Sequence, residues 1–350
     1  MPAILNANTC ERTVGRMKRR QISIGFACFL TLLLHTTGFA AVPDTLVPGG
    51  AAIALQLDTD GVYITEFSEQ APAKAAGLKI GDRISEINGT PIQSAADIAP
   101  VVNRAAGARV TVEVRRNSRT ARFSVQPRSL GGEWRLGLYV KDSVAGIGTL
   151  TYYDPSSGSF GALGHAVNSS SGTPVSIRGG RVLPVQITEI RRGEKGQPGA
   201  LGGSCAEDAE ALGSISENLP QGVFGALAQP LSTQESLPVA QLSEVQTGPA
   251  SILCTVRDGP PQRYEVEITK VQPNADGLRT LQLRVIDPAL LALTGGIVQG
   301  ISGAPILQNG RLVGAVTHVL VDAPERGYGI FIGSMLEAAE QAAPAPVLAA

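Results

Sequence analysis

The sequence predicts a mainly β protein, with a small α+β unit followed by a larger all-β unit of barrel or sandwich type. Three observations carry this. Glycine (41) and proline (23) are abundant in 350 residues, while aromatics make up 4%. Short valine-, isoleucine- and leucine-rich runs recur between the glycines, which favours strands and turns over long helices. One stretch departs from that pattern. Between about Ala51 and Pro127, strand-like runs alternate with two helix-like segments.

The first forty residues read as a targeting segment. Arg16, Lys18, Arg19 and Arg20 form a basic patch, and Ile22 to Leu34 is an apolar run of about 13 residues. That is the size of a signal core and shorter than the ~20 residues needed to span a bilayer. Gly38-Phe39-Ala40 puts small residues before a cut at Ala41. The expectation is export, through a cleaved signal or an N-terminal membrane anchor. Residues 41–50 read as a linker.

The α+β unit over 51–127 opens with "AIALQLDTDGVYITEF", read as two strands joined at Asp60-Gly61. Ala71 to Ala76 suits a short helix stopped by Gly77. Ile84 to Ile87 is a strand before the Asn88-Gly89 turn. Ser94 is placed to N-cap a helix over Ala95 to Ala106, and a hairpin around Asn117-Ser118 closes the unit. This order, with "AGLKIGDRISEINGTPI" at its centre, resembles a PDZ domain. Such domains add a peptide to a strand edge and hold its carboxylate on the N–H groups of the preceding loop. By that resemblance the loop is Gly50, Ala51, Ala52 and Ile53, and the implied partners are a peptide or the chain's own N-terminal segment.

Residues 128–350 carry the evenly spaced runs, among them "RLGLYV", "GIGTLTYY", "GRVLPVQITEI", "RYEVEITKV" and "RLVGAVTHVLV". Arg192 to Pro220 reads as a polar surface loop, and Ile332 to Ala342 as a helix.

Net charge is -1, which gives no electrostatic reason for a nucleic-acid partner. Past the first forty residues only Cys205 and Cys254 remain, without a CxxC pair, so the cysteines make no metal pattern and leave a single disulfide open. No cofactor is called for.

The chemistry concentrates in "GGIVQGISGAPI", Gly295 to Ile306. A hydroxyl nucleophile needs a base within hydrogen-bond reach and donors for an oxyanion. Ser302 sits between Ile301 and Gly303. The N–H groups of Gly300 and Ser302 suit one oxygen, and Gly303 and Ala304 keep the approach open. The continuation "PILQNGRLVGAVTHV" is strand, turn, strand, as in trypsin-like peptidases after their own serine motif. Three histidines compete for the base: His35 in the targeting segment, His165 in "FGALGHAV", and His318 in "GAVTHVLV". His165, between glycines at a strand end, is the best placed, and His318 reads as an ordinary strand residue. Asp287 and Asp154 both remain open as the carboxylate, and both also suit turns.

Two long segments, "GLYVKDSVAGIGTLTYYDPSSGSFGALGHAV" and "TGGIVQGISGAPILQNGRLVGAVTHVLVDAPERGYGIFI", resemble the stage IV sporulation protein B peptidases. The family commonly has methionine and serine where this chain has Ile301 and Ala304. The resemblance implies a PDZ domain followed by a trypsin-like double β-barrel, with His165 as base, Asp287 as acidic partner and Ser302 as nucleophile. It also implies self-cleavage and cleavage of a membrane-bound regulator in the space between two membranes, which leads to activation of a late mother-cell sigma factor. The competing reading is a non-catalytic PDZ scaffold with a degenerate barrel.

Overall fold

The computed structural model describes residues 43–342, apart from 117–118, 170–171, 207, 230–234 and 273–276. The targeting segment read over 1–40 and the Asn117-Ser118 turn lie outside the described residues.

The chain opens with β1 (Thr45–Pro48) and a 16-residue strand, β2 (Ala52–Phe67). Next come α1 (Pro72–Ala75), β3 (Arg83–Ile87), β4 (Thr90–Pro91), α2 (Ile98–Arg104), β5 (Val110–Arg116), β6 (Arg119–Val125) and the small hairpin β7 (Arg128–Leu130) and β8 (Glu133–Arg135). A second 16-residue strand, β9 (Leu138–Tyr153), returns along β2. Then follow β10 (Ser159–Ala162), β11 (Ile177–Pro184), β12 (Gln186–Arg191), β13 (Ala200–Ser204), β14 (Gly213–Leu219), β15 (Gly222–Leu227) and β16 (Leu237–Pro238). The last part holds β17 (Gly248–Cys254), β18 (Gln262–Val271), β19 (Leu281–Val285), α3 (Pro288–Thr294), β20 (Pro305–Gln308), β21 (Arg311–Leu320), β22 (Ala323–Phe331) and α4 (Ile332–Ala342).

Two barrels result. The first closes in the order β2, β9, β10, β15, β14, β11 and back to β2. Its interior is filled by Ile53, Leu55, Leu57, Leu150, Phe160 and Val182, all almost without solvent exposure. Each such side chain stabilises the fold by about 1.5–3 kcal/mol through burial alone. The second barrel is β17-β18-β19-β22-β21-β20, around Ile252, Val266, Ile268, Leu283, Ile306 and Val316. Between the barrels, Leu46, Tyr152, Phe224, Leu253 and Leu307 form one apolar cluster, into which α4 inserts Met335.

The α+β unit grows out of the first barrel. No break falls at Asp60-Gly61, contrary to the sequence expectation of a two-strand turn. β2 runs straight through, and Gly61 makes room there for the side chain of Arg83. The first half of β2, from Ile53 to Thr59, lies between β9 and β11 in the barrel. The second half, from Val62 to Phe67, lies between β9 and β3 in the other sheet. That sheet continues through β5 and β6 and packs its own core of Val62, Ile64, Ile84, Val102 and Val112. The α+β unit is one contiguous stretch, from Val62 to about Lys141, and the first barrel takes its strands from both sides of it.

Three further expectations are corrected. Residues 41–50 are more than a linker, because β1 within them pairs with β9 and β16. The segment Arg192 to Pro220 is not a plain surface loop, because β13 and β14 lie within it. The helix read over Ala95 to Ala106 begins with a 3-10 turn at Ala95–Asp97 and is regular only from Ile98.

Candidate active site

The nucleophile loop starts at the end of α3. Asp287 is the N-cap of that helix, Pro288 takes the first helical position, and Gly295 ends it in the left-handed conformation at φ 76°. From there the chain reaches Ser302 through backbone that only glycine adopts freely, with φ of 140° at Gly296 and 101° at Gly300. Gly303, at φ 96°, lies against the first barrel. A Cβ there would come within 2.0 Å of the Thr149 carbonyl oxygen.

β9 holds this loop in place with three hydrogen bonds. The Thr149 hydroxyl donates to the Gly300 carbonyl (2.7 Å), and the Thr151 hydroxyl donates to the Gly303 carbonyl (2.8 Å). The Thr149 N–H donates to the Ser302 carbonyl (2.9 Å). Both threonines are fully buried, so these bonds satisfy carbonyls that water does not reach. Within the loop, the N–H groups of Ile301, Gly303 and Ala304 are bonded to backbone carbonyls. Those of Gly300 and Ser302 are bonded to nothing among the described residues. Both sequence-predicted oxyanion donors are therefore free to take an incoming oxygen.

Ser302 and the loop that carries His165 both pack on β21 at Thr317. The Ser302 hydroxyl donates to the Thr317 carbonyl at 2.9 Å. The loop carrying His165 packs on β21 through Gly164, which lies against Thr317, Ile330 and Ala315. The His165 ring then faces the ring of His318, with centroids 5.1 Å apart and planes tilted by 39°. His165 Nδ1 is 2.8 Å from the Ala166 carbonyl oxygen. A carbonyl only accepts, so Nδ1 carries the proton and Nε2 keeps the lone pair that a general base needs. Burial holds the His165 pKa below the ordinary histidine value, and the bond to Ala166 partly opposes this.

The structure does not bring Asp287 to this pair. One carboxylate oxygen accepts from the N–H groups of Ala289 (2.9 Å) and Leu290 (3.0 Å), the other from that of Glu265 (3.2 Å). Its hydrogen bonding is spent on starting α3 and tying it to β18. Asp154 is likewise taken up in a turn by Ser156 and Ser157. The His165 ring hydrogen bond goes to a backbone carbonyl instead.

Thr149 and Thr151, which hold the loop, were not singled out from the sequence, and His318, read there as an ordinary strand residue, faces the His165 ring. The threonines alternate in an otherwise apolar strand, "GIGTLTYY", and polar alternation toward a core was the available signal. His318 is turned toward the site by a β-bulge. The pairing of β21 with β22 slips one residue between Val316 and His318, which presents the Thr317 carbonyl and the His318 ring together.

The peptide loop assigned to Gly50, Ala51, Ala52 and Ile53 is corrected. Gly49 and Gly50 donate their N–H groups to Thr151 and Leu150, and the Leu150 N–H donates to Ala51. Ala52 and Ile53 pair with β9, and Ile53 pairs with β11 as well. A strand with partners on both edges adds no peptide. The open edge lies elsewhere. Leu138 to Lys141 pairs with β2 on one side only. Its other side borders a cavity of about 540 Å³ shared with Ile98, Val102 and Trp134. Gly137, at φ 73°, makes the turn into that edge. Leu130 and Tyr139, 62% and 58% exposed, stand on its rim. Among the described residues Cys205 and Cys254 are free, Cys254 buried and Cys205 half-buried.

Comparison with known proteins adds the family. The SpoIVB peptidase S55 family matches residues 132–336, and the PDZ domain family matches residues 50–126. Among curated proteins, the chain is 33% identical over 73 residues to serine protease HTRA1 of Xenopus tropicalis, covering 21% of this chain and 16% of that one. It is 31% identical over 75 residues to a putative zinc metalloprotease of Lactococcus lactis, covering 21% and 18%. The chain thus spans under a fifth of the length of these curated relatives. Among solved structures it is similar to the inactive form of the Rv3671c protease of M. tuberculosis, at 13% identity and TM-score 0.31 over 57% of this chain and 85% of that one. The HtrA-type protease AlgW is similar at 13% identity and TM-score 0.35, over 61% and 55%. The fold is a double β-barrel with a PDZ domain, and the S55 match covers more than half of the sequence. The chain belongs to the SpoIVB peptidase S55 family and is a serine peptidase.

Proposed function

We propose that this peptidase is an endopeptidase that works outside the cytoplasm in sporulation signalling, where it cuts itself and a membrane-bound regulatory protein. That cut leads to activation of a late mother-cell sigma factor. Family membership supports the signalling role, and the basic patch with the apolar run before Leu34 supports export. One observation carries the chemistry: the Gly300 and Ser302 N–H groups are unbonded among the described residues, and the Ser302 hydroxyl and the loop of His165, an imidazole in the base tautomer, both pack on Thr317.

The steps follow from that geometry. The Ser302 hydroxyl turns from the Thr317 carbonyl and passes its proton to His165 Nε2 as Oγ attacks a peptide carbonyl carbon. The Gly300 and Ser302 N–H groups take the resulting oxyanion, a contribution of about 10²–10³ in rate per donor. His165 returns the proton to the leaving amine, and an acyl-enzyme remains. Water then repeats the sequence and frees Ser302. Throughout, the Ala166 carbonyl keeps the Nδ1 proton in place.

The groove beside Leu138 to Lys141 takes an extended peptide with a free carboxylate. Strand addition supplies the backbone bonds, and the turn at Leu136–Gly137 lies where the carboxylate would arrive. The chain's own N-terminal segment or the regulator's end is the occupant.

Self-cleavage is tested by mixing full-length Ser302→Ala protein with the active enzyme. The expected outcome is a product of the variant cut near its N-terminus, identified by intact mass. A variant that stays whole beside fully active enzyme contradicts self-cleavage.

A further inference from the structure

β21 has a free edge beside the nucleophile. β20 pairs with it only as far as Ala315, and the N–H and carbonyl of Val316 are bonded to Ala304 and Gly303. Over residues 317–320 the strand has β22 on one edge and no strand on the other among the described residues. The free edge begins where the Thr317 carbonyl accepts the Ser302 hydroxyl at 2.9 Å. An extended peptide paired along that edge brings the carbonyl to be attacked to Ser302. The side chain of the same residue then enters the space bounded by β21, β22 and residues 296–300.

That space is shallow and apolar. The Ile297 N–H donates to the Pro324 carbonyl near the start of β22 (2.8 Å), and the Ile297 side chain reaches on to Gly327. A Cβ added at Gly327 would lie 2.6 Å from Ile297 Cδ1. The buried isoleucine therefore fills the floor. Val319 is the cross-strand partner of Gly327, so its side chain stands on the same face of the sheet. It is half-buried and packs on the apolar cluster that contains Ile297. None of Gly296, Ile297, Val298, Val319 and Gly327 carries a charge. A charged side chain entering here would lose its water and gain no partner from them. We propose that Ile297 and Val319 set the specificity for the residue before the cut bond, admitting a small aliphatic side chain such as that of alanine or valine and rejecting aromatic and charged ones. This inference rests on the serine-peptidase reading and names the substrate class that the same site takes.

The test is inactivation of the full-length protein by peptidyl diphenyl phosphonates that differ only in the side chain bound in this space. Valine, phenylalanine and lysine analogues are compared, and an alkyl fluorophosphonate reports on Ser302 by itself. Wild-type protein is expected to react with the valine probe about 100-fold faster than with the other two, since one methylene of misfit alone discriminates ~10–200-fold. Ile297→Ala deepens the floor and is expected to raise the phenylalanine-to-valine rate ratio by roughly 10-fold or more. Both rates are read on one variant, so a general change at Ser302 cancels. Val319→Ala is expected to raise the ratio as well, and it is the readout if Ile297→Ala does not fold. A wild type that prefers phenylalanine or lysine overturns the proposal, as does an unchanged ratio in the folded variants. The two readings fail differently. A wild type that the fluorophosphonate does not label overturns the serine-peptidase reading and this inference with it, whereas normal labelling with the wrong preference overturns this inference alone.

Discussion

The two halves of β9 have opposite surroundings. From Leu138 to Lys141 one edge is open beside a 540 Å³ cavity, and Tyr139 is 58% exposed. From Thr149 to Thr151 the strand is fully buried, and its hydroxyls hold the carbonyls of the nucleophile loop. One unbroken strand thus borders the cavity at one end and holds the nucleophile loop at the other. The difference lies in which partners the fold brings to each half, since the strand geometry is the same throughout. An outer-half substitution should change binding and spare serine attack, and an inner-half substitution should do the reverse.

The largest break is expected from Gly303→Ala. The residue sits at φ 96°, and the added Cβ meets the Thr149 carbonyl oxygen at 2.0 Å with no flexible side chain to yield. A loss of about 4 kcal/mol or more in unfolding free energy is expected, read by denaturant titration. Thr149→Val comes next. It leaves the buried Gly300 carbonyl without its donor, costing about 1–3 kcal/mol, and should slow probe labelling at unchanged peptide binding.

Asp287→Asn sharpens the assignment of the carboxylate. Asparagine still caps α3, so stability should fall by well under ~1 kcal/mol and labelling should stay within a few-fold of wild type. A fall of ~10⁴ would restore Asp287 as the orienting carboxylate.

pH gives a fourth test. The His165 and His318 pKa values are both lowered, His318 to about 4. The native state therefore binds fewer protons than the unfolded chain between about pH 6.5 and 4. Stability should be complete above that window and fall as pH drops through it. Tm measured from pH 7 to 4 should fall less steeply in His318→Phe. The smallest effect belongs to the outer half. Tyr139→Asp should weaken a carboxylate-ended peptide in fluorescence polarisation and leave the labelling rate unchanged.

Much of the inner site was legible in the sequence. The glycines around Ser302 marked a tight turn or an open nucleophile loop, and the scarcity of histidines pointed to His165. The helix after Asp287 was legible in part, since Asp-Pro marked a turn and Gly295 a stop. The pairing of β9 with β2 was not legible. Asp60-Gly61 carries a hairpin signature, and only the long-range ladder to Leu138–Ser143 overrides it. The ladders put partners on both edges of Ile53 to Asp58 and left the open groove to residues outside the unit read from sequence. His318 stayed hidden because a bulge, formed between strands that close a barrel, decides which way it points.

The most direct measurement is covalent labelling by a fluorophosphonate probe, with the modified residue located by mass spectrometry. In wild-type protein the adduct is expected on Ser302, with no labelling of Ser302→Ala and a rate reduced by several orders of magnitude in His165→Ala. Equal labelling of all three proteins, or an adduct at another serine, would contradict the convergence of the two barrels on Ser302 and His165.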